Sequence, residues 1–256
     1  MDRSNQKLIG AIGLCDPVIA LGGRDQWIGW SDRRRLAALR HVLDAFILGA
    51  VPPYSQLLFG KFVALVCASH EVRRAFYRKY RGTRSLISGK PFDGRIALIT
   101  TMSALGRSSL YNRLTFDGEK VFRSVGFSKG TGEFHFSNGL YASISDYAKR
   151  YCEATYRKEA WGEGFRNRRE VIRKCLRKLD MKVGWSYHGV ERESFVIPLA
   201  HNAKEFLRGE EPKLRWRTHS MDELFAWFKT RWLVTRLSRD LSYLDFDRST
   251  YRIWNS

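Results

Sequence analysis

A short apolar strand that meets two prolines and then an apolar helix restricts the fold of this chain more than any other feature. Residues 46–51 read FILGAV, Pro52 and Pro53 follow, and LLFGKFVALVCAS runs on from residue 57. Proline gives no ladder N–H and restricts the residue before it, so the strand stops there. The following segment is apolar on nearly all sides early on, as a helix buried against a sheet must be. The pattern predicts a helix from Gln56 to about Tyr80, stopped by Gly82. A strand, a turn and a covering helix in direct succession imply layered α/β architecture, because each apolar face must be covered by another element.

The remaining elements extend this frame. IALITTM (96–102), between Gly94 and Gly106, reads as the central strand. Residues 1–30 read as short strands and turns: LIGAIGL, VIALGG and the aromatic WIGW. Ser31 and Asp32 suit the N-cap of a helix over SDRRRLAALRHVLDAF (31–46). Arg33, Arg34 and Arg35 in its first turn stand at the positive end of the helix dipole, a cost that an external anion would offset. KVFRSVGF and GEFHFS read as two strands joined by SKGTG. Residues 140–182 read as mostly helical, with Val171, Ile172, Cys175, Leu176 and Leu179 as a core stripe. SFVIPLA reads as a short strand, and MDELFAWFKTRWLVTRLSRD as a helix whose Phe225, Trp227, Phe228 and Trp232 recur at core spacing. With no repeats, low-complexity tracts or long linker, the expectation is one continuous fold in two parts. Residues 1–150 form a mixed α/β core with a mostly antiparallel sheet flanked by helices. Residues 151–256 form a basic, aromatic-rich, mainly helical extension packed on it.

Charge then narrows the function. The 256 residues carry 45 Lys+Arg against 26 Asp+Glu, a formal charge of +19. A hydrophobic fraction of 44% with 14% aromatic excludes a disordered basic tail, so the charge lies on a folded surface. A nucleic acid, DNA or RNA, is the simplest partner, and an acidic protein is the other candidate. Two runs carry the cations: Arg73, Arg74, Arg78, Lys79 and Arg81 on one predicted helix, and Arg166, Arg169, Arg173 and Arg177 at three- or four-residue steps on another. Tyr77, Tyr80, Trp161 and Phe165 are interleaved, where they could stack on bases. The plain alternative is a pair of solvated helix faces. Cys15, Cys67, Cys152 and Cys175 form no CxxC pair and no zinc spacing, which predicts no metal site and a reducing cytoplasm. The N-terminal apolar stretch is broken by Asp16 and Pro17, unlike a signal peptide. No run of apolar residues is long enough to span a membrane.

Candidate chemistry clusters after the central strand. GRSSLYNRL (106–114) offers Tyr111 as a general acid, with Ser108 or Ser109 and Asn112 as polar partners. A polar loop capping a helix reads equally well. Glu133, His135 and Glu163 are set among glycines; His135 serves either catalysis or a structural hydrogen bond, and Glu163 either orients Arg166 or simply turns the chain. No Ser-His-Asp order and no two-metal carboxylate set can be argued.

Two family resemblances bear on these segments. The strand–loop–helix around VLDAFILGAVPPYSQLLFGKFVALV, followed by IALITT, SSLYNRL and VGFSKGTG, resembles the core of GNAT-type acyltransferases. That resemblance implies a GNAT-like sheet and an acyl-CoA donor whose pyrophosphate would lie at Gln56, Gly60 and Lys61. Phe59 and Lys61 stand where the GNAT loop has glycine and glycine or alanine. It would make the protein an acyltransferase acting on a nucleic-acid base or a protein amine. Over residues 25–250, in order, FILGAVPPYSQLLFGKFVALVCASHEVRRAF, VGFSKGTGEFHFSNGLY, WGEGFRNRREVIRKCLRKL, FVIPLAHNAKEFLRGE and FKTRWLVTRLSRD resemble the Druantia anti-phage defence family DruA. This second resemblance implies bacterial or phage origin and a role in defence or on a mobile element.

Overall fold

Burial on both faces of three neighbouring strands organises the molecule. The computed structural model describes residues 1–247 and 249, apart from 3, 85–88, 134, 138, 156–163 and 182–183. β1 (Gly10–Cys15) and β2 (Val42–Ala50) are antiparallel, and β2 runs parallel to β3 (Leu98–Met102), with Val42 opposite Leu98 and Asp44 opposite Thr100. A two-stranded hairpin follows, β4 (Thr115–Phe116) with β5 (Glu119–Lys120). β6 (Arg123–Phe127) and β7 (Glu193–Pro198) are antiparallel, and β7 in turn pairs antiparallel with β3, Leu98 opposite Pro198. The five-stranded order is β1-β2-β3-β7-β6. This is a mixed α/β fold whose sheet is mostly antiparallel and flanked by helices.

Every residue of β7 is buried, because helices cover both faces. On one face Leu43, Ala45, Ile99, Phe195 and Ile197 pack with α3 (Phe59–Val66), and with Leu224 and Phe228 of α8 (Met221–Phe228). On the other, Val42, Leu98 and Val196 meet Ile28 of α1 (Gly22–Ile28) and Ala38 of α2 (Asp32–Ala38). Ala203, Phe206 and Leu207 of α7 (Ala203–Arg208) complete this second core.

Several expected elements differ. The helix begun at Asp32 ends at Ala38, and VLDAF joins β2 instead. Val42 faces one core and Leu43 and Ala45 the other, so burial in the sheet overrides the helical propensity of the preceding run. VIALGG forms no strand; Arg24, fully buried, holds that loop by donating to the carbonyls of Val18 at 2.8 Å and Ile19 at 3.1 Å. WIGW enters α1, which stops at Gly29 in the left-handed region (φ 76°). The helix expected over 56–80 is two helices, α3 and α4 (His70–Tyr80), because Ser69 caps the second by accepting from the Val72 N–H at 3.4 Å. GEFHFS is irregular among its described residues, since Gly132 and His135 bond to the 184–188 segment and not to β6. The C-terminal helix is continuous through α8, a π-helical turn at Lys229–Leu233 and α9 (Val234–Arg239).

The chain divides into two compact units, Met1–Phe127 with Glu193–Ser256, and Ser128–Arg192. Phe127, which ends β6, is the pairing partner of Glu193, which begins β7. The second unit is therefore inserted between two neighbouring strands of the first. Within it α5 (Leu140–Tyr151) packs on α6 (Arg168–Lys178) around Ile144, Ala148, Val171, Ile172, Cys175 and Leu176. Leu179, expected in this stripe, is 48% exposed, since the helix has already ended. Among the described residues no helix is long and apolar enough to cross a membrane.

Candidate nucleic-acid interface

The N-terminus of α6 builds a cationic recess. Asn167 caps the helix by accepting from the Glu170 N–H at 3.0 Å. Glu170, only 5% exposed, accepts from the Arg166 N–H at 2.7 Å and from the Thr155 hydroxyl, and pairs with Lys174 at 3.5 Å. Lys174 also donates to the Thr155 hydroxyl at 2.6 Å. The one buried acid is thus matched by one ammonium inside the recess. The apolar stripe of α6 faces α5, so the remaining cations project the other way. Arg166, Arg169, Arg173 and Arg177 are all exposed, as the spacing required. A cavity of about 430 Å3 opens among Thr155, Arg166, Asn167, Arg169, Glu170, Arg173 and Lys174. Arg169 approaches Glu133 at 3.7 Å, while among the described residues Arg166, Arg173 and Arg177 have no carboxylate partner. Planar guanidinium groups so presented match phosphate oxygens in paired hydrogen bonds. Arg168 differs: it donates to the Phe136 carbonyl and lies 4.2 Å over the Tyr141 ring, so it locks the fold.

The first unit carries the other run. Arg73 is half-buried with its guanidinium 4.2 Å over Trp216, and burial followed by the neighbouring Arg74 pushes its pKa below the usual arginine value. Arg74 and Arg78 are exposed and unpaired with any carboxylate among the described residues. Lys79 lies 5.1 Å over Tyr80 and Arg81 5.3 Å over Tyr77, so these rings already carry a cation on a face. Phe165 carries Lys174 at 5.6 Å, and Trp161 lies outside the described residues. Two of the three cations opening α2 meet internal partners: Arg34 donates to the Leu207 and Phe206 carbonyls at 2.8 and 3.0 Å, and Arg35 pairs with Asp32 at 3.0 Å, while Arg33 is exposed. The C-terminal end of α7 supplies what an outside anion was expected to supply for Arg34.

The polar loop after β3 is organised by a residue that sequence reasoning missed. Glu193 is 3% exposed, and its carboxylate accepts from the Ser108 N–H at 2.9 Å, Asn112 Nδ2 at 2.7 Å and the Ser124 hydroxyl at 2.7 Å. Burial raises the Glu193 pKa, but the bonds from Ser124, Ser108 and Asn112, with Arg107 nearby, outweigh it and hold the carboxyl below its usual range. The Ser108 hydroxyl in turn accepts from the Tyr111 N–H at 3.0 Å. Tyr111 stacks on Phe122 at 4.8 Å and meets Phe195 edge-on at 5.2 Å; burial, then Cys67, push its phenol up, opposed by a hydrogen bond with Thr101. Asn112 and Ser108 are thus engaged in anchoring a turn, and Ser109 is exposed beside them. In the second unit His135 Nε2–H donates to the Trp185 carbonyl at 2.7 Å, apart from the Tyr111 group in sequence and in unit. Glu163 lies outside the described residues. Asn167 and Glu170, by contrast, show the capping spacing that could have revealed Glu170.

The loop before α3 is filled by its own aromatic side chain. Phe59, 7% exposed, packs against Phe228 at 4.9 Å, Tyr54 at 5.3 Å and Phe62 at 6.0 Å. The Gln56 carbonyl accepts from Arg236 Nε at 2.8 Å, and its side-chain Oε1 is buried without a partner. A Cβ added at Gly60 would meet only Leu110 Cδ1 at 3.7 Å, an ordinary contact, so no backbone crowding demands glycine there. Lys61 lies with its ammonium 5.3 Å from the Trp232 ring.

Comparison with known proteins places the chain in one family. The family model described as "Druantia protein DruA" matches residues 1–209. A curated protein of Escherichia coli (strain UMEA 4076-1), named Druantia protein DruA, is 36% identical over 257 residues, covering 100% of this chain. The chain spans 61% of that relative's length. No solved structure matches it.

Proposed function

Because the chain belongs to the Druantia DruA family, we propose that it is a DNA-binding component of a bacterial anti-phage defence system or mobile element. It works in the cytoplasm beside other subunits of that system. One observation carries this reading: Arg166, Arg169 and Arg173, exposed on one row with Arg177, line a cavity whose only acid is already matched by Lys174. Among the described residues three of the four, Arg166, Arg173 and Arg177, have no carboxylate to compete with a phosphate, and the net charge of +19 draws a polyanion toward the row. The anti-phage role carried by the family favours DNA over RNA.

Each phosphate neutralised releases condensed counterions, so binding weakens as salt rises. Titration of labelled duplex and single-stranded DNA over a salt series is the test. The expected result is a steep slope that becomes shallower by about two phosphates in Arg169→Gln with Arg173→Gln. Absence of binding at low salt, or an unchanged slope in the double variant, would refute the assignment.

A further inference from the structure

We propose that Lys61 and Arg231, held beside the indole of Trp232, form a phosphate-binding site in the first unit together with Arg113 from the neighbouring turn. The site is separate from the α6 row and needs none of its residues. α3 places Lys61 in its first turn, half-buried. Its ammonium lies 5.3 Å from the Trp232 ring centroid, and the Arg231 guanidinium lies 5.4 Å from the same ring. Arg231 also lies 5.7 Å from Trp227, whose indole N–H is fixed by donation to the Thr115 carbonyl at 2.8 Å. Arg113 ends the short helical turn Tyr111–Arg113. That turn comes close to α3, since Leu110 would touch a Cβ built on Gly60. The Lys61 pKa is lowered by burial, then by Arg113, then by Arg231, so the ammonium feels both arginine charges.

What is missing is an acid. Among the described residues none of the three has a carboxylate partner, whereas in the same unit Arg217 pairs with Glu119 at 2.7 Å and Arg236 with Asp240. Like charges brought close to a half-buried ammonium repel it. Indole faces soften that repulsion but do not cancel it. An anion of more than one charge, with several oxygens, would satisfy two guanidinium groups and an ammonium together; phosphate fits this description. It could come from a nucleic-acid strand or from a free pyrophosphate or nucleotide.

The test uses the full chain, with inorganic pyrophosphate and a short single-stranded DNA oligonucleotide as separate calorimetric probes. In Arg113→Gln with Arg231→Gln, both exposed positions, affinity for at least one probe should fall about tenfold or more while the melting temperature holds. Loss for pyrophosphate alone identifies a free phosphate compound, and loss for the oligonucleotide identifies a strand. Arg169→Gln with Arg173→Gln should leave pyrophosphate binding intact, which separates this site from the α6 row. If the double variant is unstable, Arg113→Gln alone is measured, with a smaller loss in the same direction. Binding of neither probe by the parent protein, or equal affinities in parent and variants, overturns the proposal.

Discussion

Glu193 shows how much one buried carboxylate can organise. It ties Ser108, Asn112 and Ser124 to the start of β7. Glu193→Ala strands those donors and should cost about 3 kcal/mol in denaturant unfolding. Glu193→Gln can still accept from Ser108 and Asn112 while its amide faces Ser124, and should cost about half as much. Because the folded pKa is depressed, its contribution is present above the ordinary carboxylate range and is lost as pH falls through the folded value. Acid unfolding of Glu193→Gln should therefore track pH less steeply than that of the parent. Gly60→Ala should stabilise by about 0.5 to 1 kcal/mol in thermal melts, since the helix position is roomy and alanine loses less entropy there. Tyr111 and Asn112 were recognisable as a polar cluster, but their partner was not. Glu193 lies far along the chain, and only the antiparallel register of β3 and β7 brings it there.

At the scale of elements, sequence pattern served best where one cause dominates. β3 and β7 are apolar runs with no rival reading, and α6 shows both its cap and its stripe. Where two causes compete, local pattern fails: VLDAF has helical neighbours but sheet burial, and Ser69 splits an apparently continuous helix by capping its second half. The arginine row follows from helical spacing alone, yet only the fold shows that Glu170 and Lys174 match each other behind it. Asn167→Ala should remove the α6 cap and destabilise the second unit by about 1 kcal/mol, read as earlier hydrogen exchange across Arg168–Lys178.

At the scale of the whole molecule, cations are distributed over both units, and among the described residues each keeps some without acid partners. Composition alone revealed the excess of charge but not its division between packing, as at Arg24 and Arg34, and display, as at Arg173 and Arg177. The first unit is built around a sheet whose β6 and β7 are direct neighbours. Replacing residues 128–192 by an Asn-Gly turn should therefore leave a soluble protein with a single cooperative melt. An aggregated or non-cooperative product would show that the first unit depends on the second.

The pairing of Phe127 with Glu193 makes the inserted segment a cassette whose two ends leave the frame side by side. Its contents can be lengthened or exchanged without rethreading a single strand of the frame.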